Sequence, residues 1–262
     1  MKVTACIETI FTELPWEARF EAAKKAGFDL IEFWSWTDKD LPQIRRLAED
    51  AGIGISGFNG DAEFSLIDPT HKKRYLDFLK QSLDAAVSIG AESVTIHSNG
   101  LGEGGVVLDS CDDLSFTTKL CSMYDMLLDV RRLAESAGVT CNLEALNVTT
   151  DHPGNFLRST AMAADMIRLI DSPRVRILYD AYHMQLNNEG SICDTIDTCL
   201  DTIGHIHIAD APGRHEPGTG EINYRNVIRH LEHLGYQGYI GCELLPVSDS
   251  QTASRAIMDL FR

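Results

Sequence analysis

Short runs of β-branched and alternating apolar residues recur along the chain, and each gives way to a stretch with helical spacing. The strand-like runs are VTACIET near residue 3, DLIEFWSW near 29, GIGISGFN near 52, SVTIHSN near 93, VTCNLEALN near 139, VRILYDAYH near 175, HIHIAD near 205 and YIGCELL near 239. Between them lie amphipathic stretches such as PWEARFEAAKKAG, DLPQIRRLAEDAG, KKRYLDFLKQSLDAAVSIG and NYRNVIRHLEHLG. Several of these end in Gly, the residue that most readily terminates a helix. ICDTIDTCLDTIG is rich in Thr and is the weakest helix, but it fills the remaining slot. Strands alternating with helices eight times predict an α/β fold, a parallel sheet closed as a (β/α)8 barrel. An open doubly wound sheet is the rival, and it loses because no Gly-rich dinucleotide fingerprint follows the first strand. No linker, low-complexity run or break in composition divides the chain, so residues 1–262 read as one domain.

Each strand-like run ends in a polar residue: Glu8, Glu32, Asn59, His97, Glu144, Asp180, His207 and Glu243 in chain order. Ionisable groups just beyond apolar runs sit near the barrel mouth, where loss of water makes them costly unless they are paired. Glu144, Asp180, His207 and Glu243 come from four consecutive strands. As bare groups they would repel one another. A divalent cation removes that repulsion, and three carboxylates with one imidazole suit Mn²⁺ or Mg²⁺, with Co²⁺ or Zn²⁺ as further possibilities. The plainer alternative is that Glu144 and Glu243 pair with Arg or Lys, but basic residues are nearly absent from the strand ends. His183 and Arg214 lie a few residues beyond Asp180 and His207, where they can polarise a substrate oxygen or hold a carboxylate. His97 reads equally well as a further substrate contact or as a buried structural histidine. The long connections 98–116 and 145–156 are candidate lids or pocket walls, since loops after strands build the active face of such barrels.

Composition narrows the class. The chain is 44% hydrophobic and 24% charged, with a formal net charge of −16. Such a field repels nucleic acid and anionic membrane surfaces. No basic run or apolar run of membrane-spanning length is present. The seven cysteines are scattered without any CxxC pair and no secretion signal precedes them, which predicts free thiols and a cytoplasmic protein.

The motifs NLEALN at 142–147, DHPGNFL at 151–157, YDAYHMQ at 179–185 and IADAPGRHEPGTGEINY at 208–224, closed by GYIGCEL, resemble one known group. They are similar to the hydroxypyruvate isomerase family of xylose isomerase-like TIM barrels. The match covers the C-terminal half closely; the N-terminal half agrees in strand–helix rhythm and in TIHSNG. The resemblance implies a divalent metal held by Glu144, Asp180, His207 and Glu243. It also implies that the two glutamates act as acid and base, that His183 and Arg214 bind substrate, and that the protein forms homo-oligomers. One position departs: hydroxypyruvate isomerases often carry Gln on the seventh strand, whereas His, as at His207, is the rule in ketose 3-epimerases.

The expected activity is therefore metal-dependent isomerisation of hydroxypyruvate or a similar short oxo-sugar acid through an enediolate. Arg214 favours an acid, because a guanidinium grips a carboxylate in two places. A ketose 3-epimerase is the alternative, and a keto-sugar dehydratase or lyase would use the same metal site. An abasic-site endonuclease would need more strand-end histidines and a basic groove. A non-catalytic sugar-binding module predicts no metal requirement. The substrate is expected to be a small molecule, with neither nucleic acid nor membrane as partner. Trp34, Trp36, Phe58 and Phe156 are candidates to stack on a sugar or to fill the mouth.

Overall fold

The computed structural model describes all 262 residues. The strands are β1 (Lys2–Cys6), β2 (Leu30–Phe33), β3 (Gly54–Asn59), β4 (Ser93–His97), β5 (Thr140–Glu144), β6 (Val175–Asp180), β7 (Ile203–Ile208) and β8 (Tyr239–Cys242). All neighbours run parallel, and β8 pairs with β1, so the sheet closes into one barrel in sequence order. The (β/α)8 expectation is met.

The outer layer holds α1 (Trp16–Ala26), α2 (Leu41–Ala51), α3 (Lys72–Ile89), α4 (Phe116–Ala137), α5 (Thr160–Ile170), α6 (Ala181–Leu186), α7 (Ile192–Cys199), α8 (Tyr224–His233) and α9 (Ser250–Met258). Helices α1 to α4 each stop at a left-handed glycine, Gly27, Gly52, Gly90 and Gly138. The stop signal works because glycine has no Cβ to clash in that conformation. The sequence implied eight helices; the ninth is α6, one and a half turns inserted directly after β6. Asp180 creates it by accepting the backbone N–H groups of Tyr182 and His183 on its Oδ1, at 2.8 and 3.3 Å. The run VRILYDAYH is thus strand only as far as Asp180, and His183 rides on a helix.

The core lies in two places. Between barrel and helices, Val, Ile, Leu and Phe from the outward strand positions meet the buried helix faces in one cluster of 66 residues. Inside the barrel the C-terminal end is polar. Period-two alternation turns His205 and His207 inward on β7 while Ile206 and Ile208 face the helices. All seven cysteines are free thiols. No helix is long and apolar enough to cross a membrane.

The two long connections are packed together. His152 Nδ1 lies 2.6 Å from the carbonyl of Gly105, the Phe156 N–H donates to Asn99 Oδ1, and the Phe116 and Phe156 rings sit 5.4 Å apart. They form one wall of the mouth.

Candidate active site

Strand register explains which side chains meet. His97 is level with Glu144, Asp180 is level with His207, and His207 is level with Gly241, two residues short of Glu243. Ligand-type atoms of Glu144, Asp180 and His207 all lie within 4.8 Å of one another. Glu243 joins them, its Oε2 lying 3.3 Å from His207 Nδ1. The four side chains grouped on sequence grounds therefore converge at the C-terminal mouth of the barrel.

The donor set fits a divalent cation. Glu144 Oε1 and His207 Nδ1 are buried without a hydrogen-bond partner in the protein, an expensive condition that a bound cation relieves. Two further groups could also bind a metal: Glu32 with His205 and His207, and Asp151 with His152 and His183.

Arg214 stands closer to the carboxylates than expected. Its Nη2 is 2.7 Å from Glu243 Oε2 and 3.3 Å from Asp180 Oδ2, and its Nε donates to the Glu243 carbonyl. The expectation that strand-end acids lack basic partners fails here, and again at Glu8, which pairs with Lys39 at 2.8 Å. Both bases arrive on loops distant in sequence. Burial raises the Glu243 pKa, but Arg214, His207 and Trp34 outweigh it and hold the carboxyl well below its usual range. Asp180, fully enclosed, is shifted upward by burial despite Arg214.

Arg214 itself has a left-handed backbone, φ +57°, uncommon for a side-chain-bearing residue. The loop around it is built to hold that conformation. Asp210, fully buried, accepts backbone N–H groups of Ala211, Gly218 and Ile222, and the Arg214 carbonyl accepts the N–H of Leu245 at 2.7 Å. At Gly220 a Cβ would lie 2.2 Å from the Ala211 carbonyl oxygen, so only glycine lets this loop close. The motif IADAPGRHEPGTGEINY is a rigid arm carrying Arg214.

His183 has a defined proton. Asn147 Oδ1 accepts the N–H groups of Thr150 and Asp151, so its Nδ2 must donate, and His183 Nδ1 accepts at 2.7 Å. The ring is therefore protonated on Nε2, which lies 3.5 Å from Asp180 Oδ2 and 3.8 Å from Glu144 Oε1. Burial, then Arg214, drives the His183 pKa well below its ordinary value, and the ring is neutral. His97 is the opposite case. Burial alone would lower it, but Asp61 at 3.0 Å and Glu144 at 3.3 Å push it up to about 10.

Several of these partners were missed in the sequence. Asp61 lies beyond the strand end, where no periodicity points. Asn147 sits within NLEALN and carries a signal only in hindsight of His183. Trp34 donates its indole N–H to Glu243 Oε1 at 2.6 Å and is partly exposed at the mouth. Trp36 instead donates to Ser82 and packs on Phe78, and Phe58 is buried against Phe33. His205 shares the inward face with His207, and HIHI already implied it. The two imidazoles fit because position 241 is glycine: a Cβ there would lie 2.4 Å from His207 Cδ2 and 2.6 Å from His205 Nε2.

Fold and site together define a (β/α)8 barrel with a carboxylate–histidine centre at its C-terminal mouth. The chain belongs to the xylose isomerase-like TIM barrel family, whose model matches residues 20–262. It is similar to a 2-oxo-tetronate isomerase of Haemophilus influenzae, 29% identical over 96% of each chain. It is similar also to the hydroxypyruvate isomerase of Escherichia coli, 27% identical over 100% of each. Among solved structures, an AP endonuclease, family 2, from Brucella melitensis superposes with a TM-score of 0.84 at 25% identity, covering 96% of each chain.

Proposed function

We propose that the protein isomerises a small hydroxy-carbonyl acid, hydroxypyruvate or a 2-oxo-tetronate, by moving a proton between adjacent carbons through an enediolate. The observation that carries this reading is the convergence of Glu144, Asp180 and His207, with Glu243 alongside, around buried atoms that lack partners. The names of two relatives matched along nearly the whole chain agree with it. Glu144, Asp180, His207 and Glu243 would hold a divalent cation, Mn²⁺ or Mg²⁺ suiting so oxygen-rich a set. Such an ion, when bound, draws electron density from a carbonyl oxygen and acidifies the neighbouring C–H.

The protein's own groups do the rest. Hydroxypyruvate loses a proton from C3 and gains one at C2, giving 2-hydroxy-3-oxopropanoate. Glu144 and Glu243 are the carboxylates placed to take and return that proton. His183, neutral and protonated on Nε2, donates to a substrate oxygen. Arg214 spends Nε and Nη2 on Glu243 and Asp180, and its Nη1 is left for the substrate carboxylate. His97 lies behind Glu144 and steadies one of its oxygens rather than meeting substrate. The packed loops after β4 and β5 shield the mouth from water on one side.

Epimerisation of a ketose, with the proton returned to the opposite face of one carbon, would use the same residues. His207 in place of glutamine favours that second reading. We do not adopt the endonuclease activity in the name of the Brucella structure, because a net charge of −16 opposes a polyanionic substrate.

Proton NMR in D₂O with Mg²⁺-loaded protein, hydroxypyruvate and a panel of ketoses tests this. Deuterium should enter C3 of hydroxypyruvate as the aldehyde product forms, and EDTA should stop both. Exchange confined to a ketose, with the C3 epimer as product, would support the epimerase reading instead. Absence of exchange in every compound would overturn both.

A further inference from the structure

Beneath the mouth lies a carboxylate that the proposed reaction does not use. Glu32 is buried inside the barrel, and the basic side chains against it are two imidazoles: Oε1 is 3.2 Å from His207 Nε2, and Oε2 is 3.5 Å from His205 Nε2. His207 thus stands between two acidic neighbourhoods. Its Nδ1 faces Glu243 at 3.3 Å and Asp180 at 4.0 Å, while Nε2 faces Glu32.

We propose that Glu32 is a positioning residue, whose carboxylate under the His207 ring fixes Nε2 as the protonated nitrogen and so reserves Nδ1 for the carboxylate cluster above. The inference rests on the cation reading of that cluster. An imidazole offers a lone pair from one nitrogen only when the other keeps the proton, and the group facing the second nitrogen decides which. On the lower side Glu32 is the charged group against the ring, and the other neighbour is the His205 imidazole, 4.9 Å away between ring centres.

The carboxylate is itself held. Its Oε2 accepts from Ser56 Oγ at 3.3 Å, and Ser56 Oγ is in turn 2.8 Å from Thr4 Oγ1 and 3.1 Å from the Ile31 carbonyl. Three strands, β1, β2 and β3, therefore set where Glu32 stands. A carboxylate present only to fill space would be replaced at lower cost by leucine or methionine, since an ionised group loses its hydration there. The contact to Nε2 is short but not linear, and Glu32 Oε1 and both His207 nitrogens have no aligned hydrogen-bond partner. The ring is steered by charge rather than by an aligned hydrogen bond.

The test compares the unaltered protein with Glu32→Gln, which keeps shape and loses charge, and with Ser56→Ala, which loosens Glu32 without touching His207. Mn²⁺ affinity is read by the electron paramagnetic resonance of the free ion. The state of His207 is read by ¹⁵N NMR of histidine-labelled protein, metal-free and Zn²⁺-loaded. Glu32→Gln should weaken Mn²⁺ binding about 10- to 100-fold and change the His207 ¹⁵N pattern in both states. Ser56→Ala should show a smaller loss in the same direction, and it carries the test if Glu32→Gln fails to fold. Mn²⁺ bound equally by all three forms, with unchanged His207 signals, overturns the inference alone. No Mn²⁺ binding by the unaltered protein overturns the cation reading and the inference with it.

Discussion

The two glutamates proposed to exchange the proton live in unlike surroundings. Glu243 has both oxygens engaged, Oε1 by the Trp34 indole and Oε2 by Arg214 and His207. Glu144 has one oxygen beside His97 and the other without a partner. A carboxylate gripped by a guanidinium is stabilised as the anion and is a weak base; one with a free oxygen has an unshared lone pair to offer. The difference teaches that the mouth is built asymmetrically, its carboxylate fully partnered on the β7–β8 side and left with a free oxygen on the β5 side. Under the proposed function, Glu144 is therefore the carboxylate suited to take the proton and return it at the adjacent carbon, with Glu243, held as the anion, stabilising charge.

The sharpest way to break this comparison is to neutralise each acid in turn. Glu144→Gln should cut deuterium exchange by about 10²- to 10⁴-fold, the usual worth of a general base, and Glu243→Gln should abolish net turnover as well. Full activity in either variant removes that residue from the acid–base pair. Arg214→Lys comes next. One ammonium cannot reach Asp180, Glu243 and a substrate carboxylate from a planar fork, so kcat/KM for hydroxypyruvate should fall about 10- to 100-fold. A neutral ketose should lose less, and equal losses on both would show that Arg214 serves only the protein. Trp34→Phe removes the single N–H on Glu243 Oε1 and should cost roughly tenfold in kcat. A rise in KM alone would move Trp34 from holding Glu243 to lining the substrate.

The smallest effect concerns the β5 side. His97, pushed up to about 10, contributes stability that is fully present below its ordinary pKa of 6.5 and is lost as pH rises through 10. Asp61→Asn should therefore lower the urea midpoint of metal-free protein clearly near pH 7. The gap to the unaltered protein should shrink as pH approaches 10. A pH-independent gap would mean that Asp61 acts through its hydrogen bond to the His97 backbone N–H rather than through charge.

The barrel was legible because strand-like runs alternate with helical stretches eight times and glycines stop the first four helices, and the strand-end acids could be read off the same alternation. What stayed hidden depends on contacts between distant segments. Helix α6 is too short to show a period and exists because Asp180 caps it. Lys39 and Arg214 reach Glu8 and Glu243 from loops, so no local pattern pairs them. Asp61 behind His97 and Glu32 beneath His207 are pairings across strands, fixed by register rather than by spacing along the chain. His205 is different: HIHI carried the signal, and the inward face it shares with His207 follows from alternation alone.

The glycine at position 241 carries a historical consequence. With two imidazoles occupying the space a methyl group would need, a side chain can appear there only once both position 205 and position 207 have given way. Three sites on neighbouring strands are thereby tied into one unit of inheritance. A lineage that trades the seventh-strand histidine for another ligand does so under a ceiling set by its neighbour, and reversal stays open only while that glycine survives.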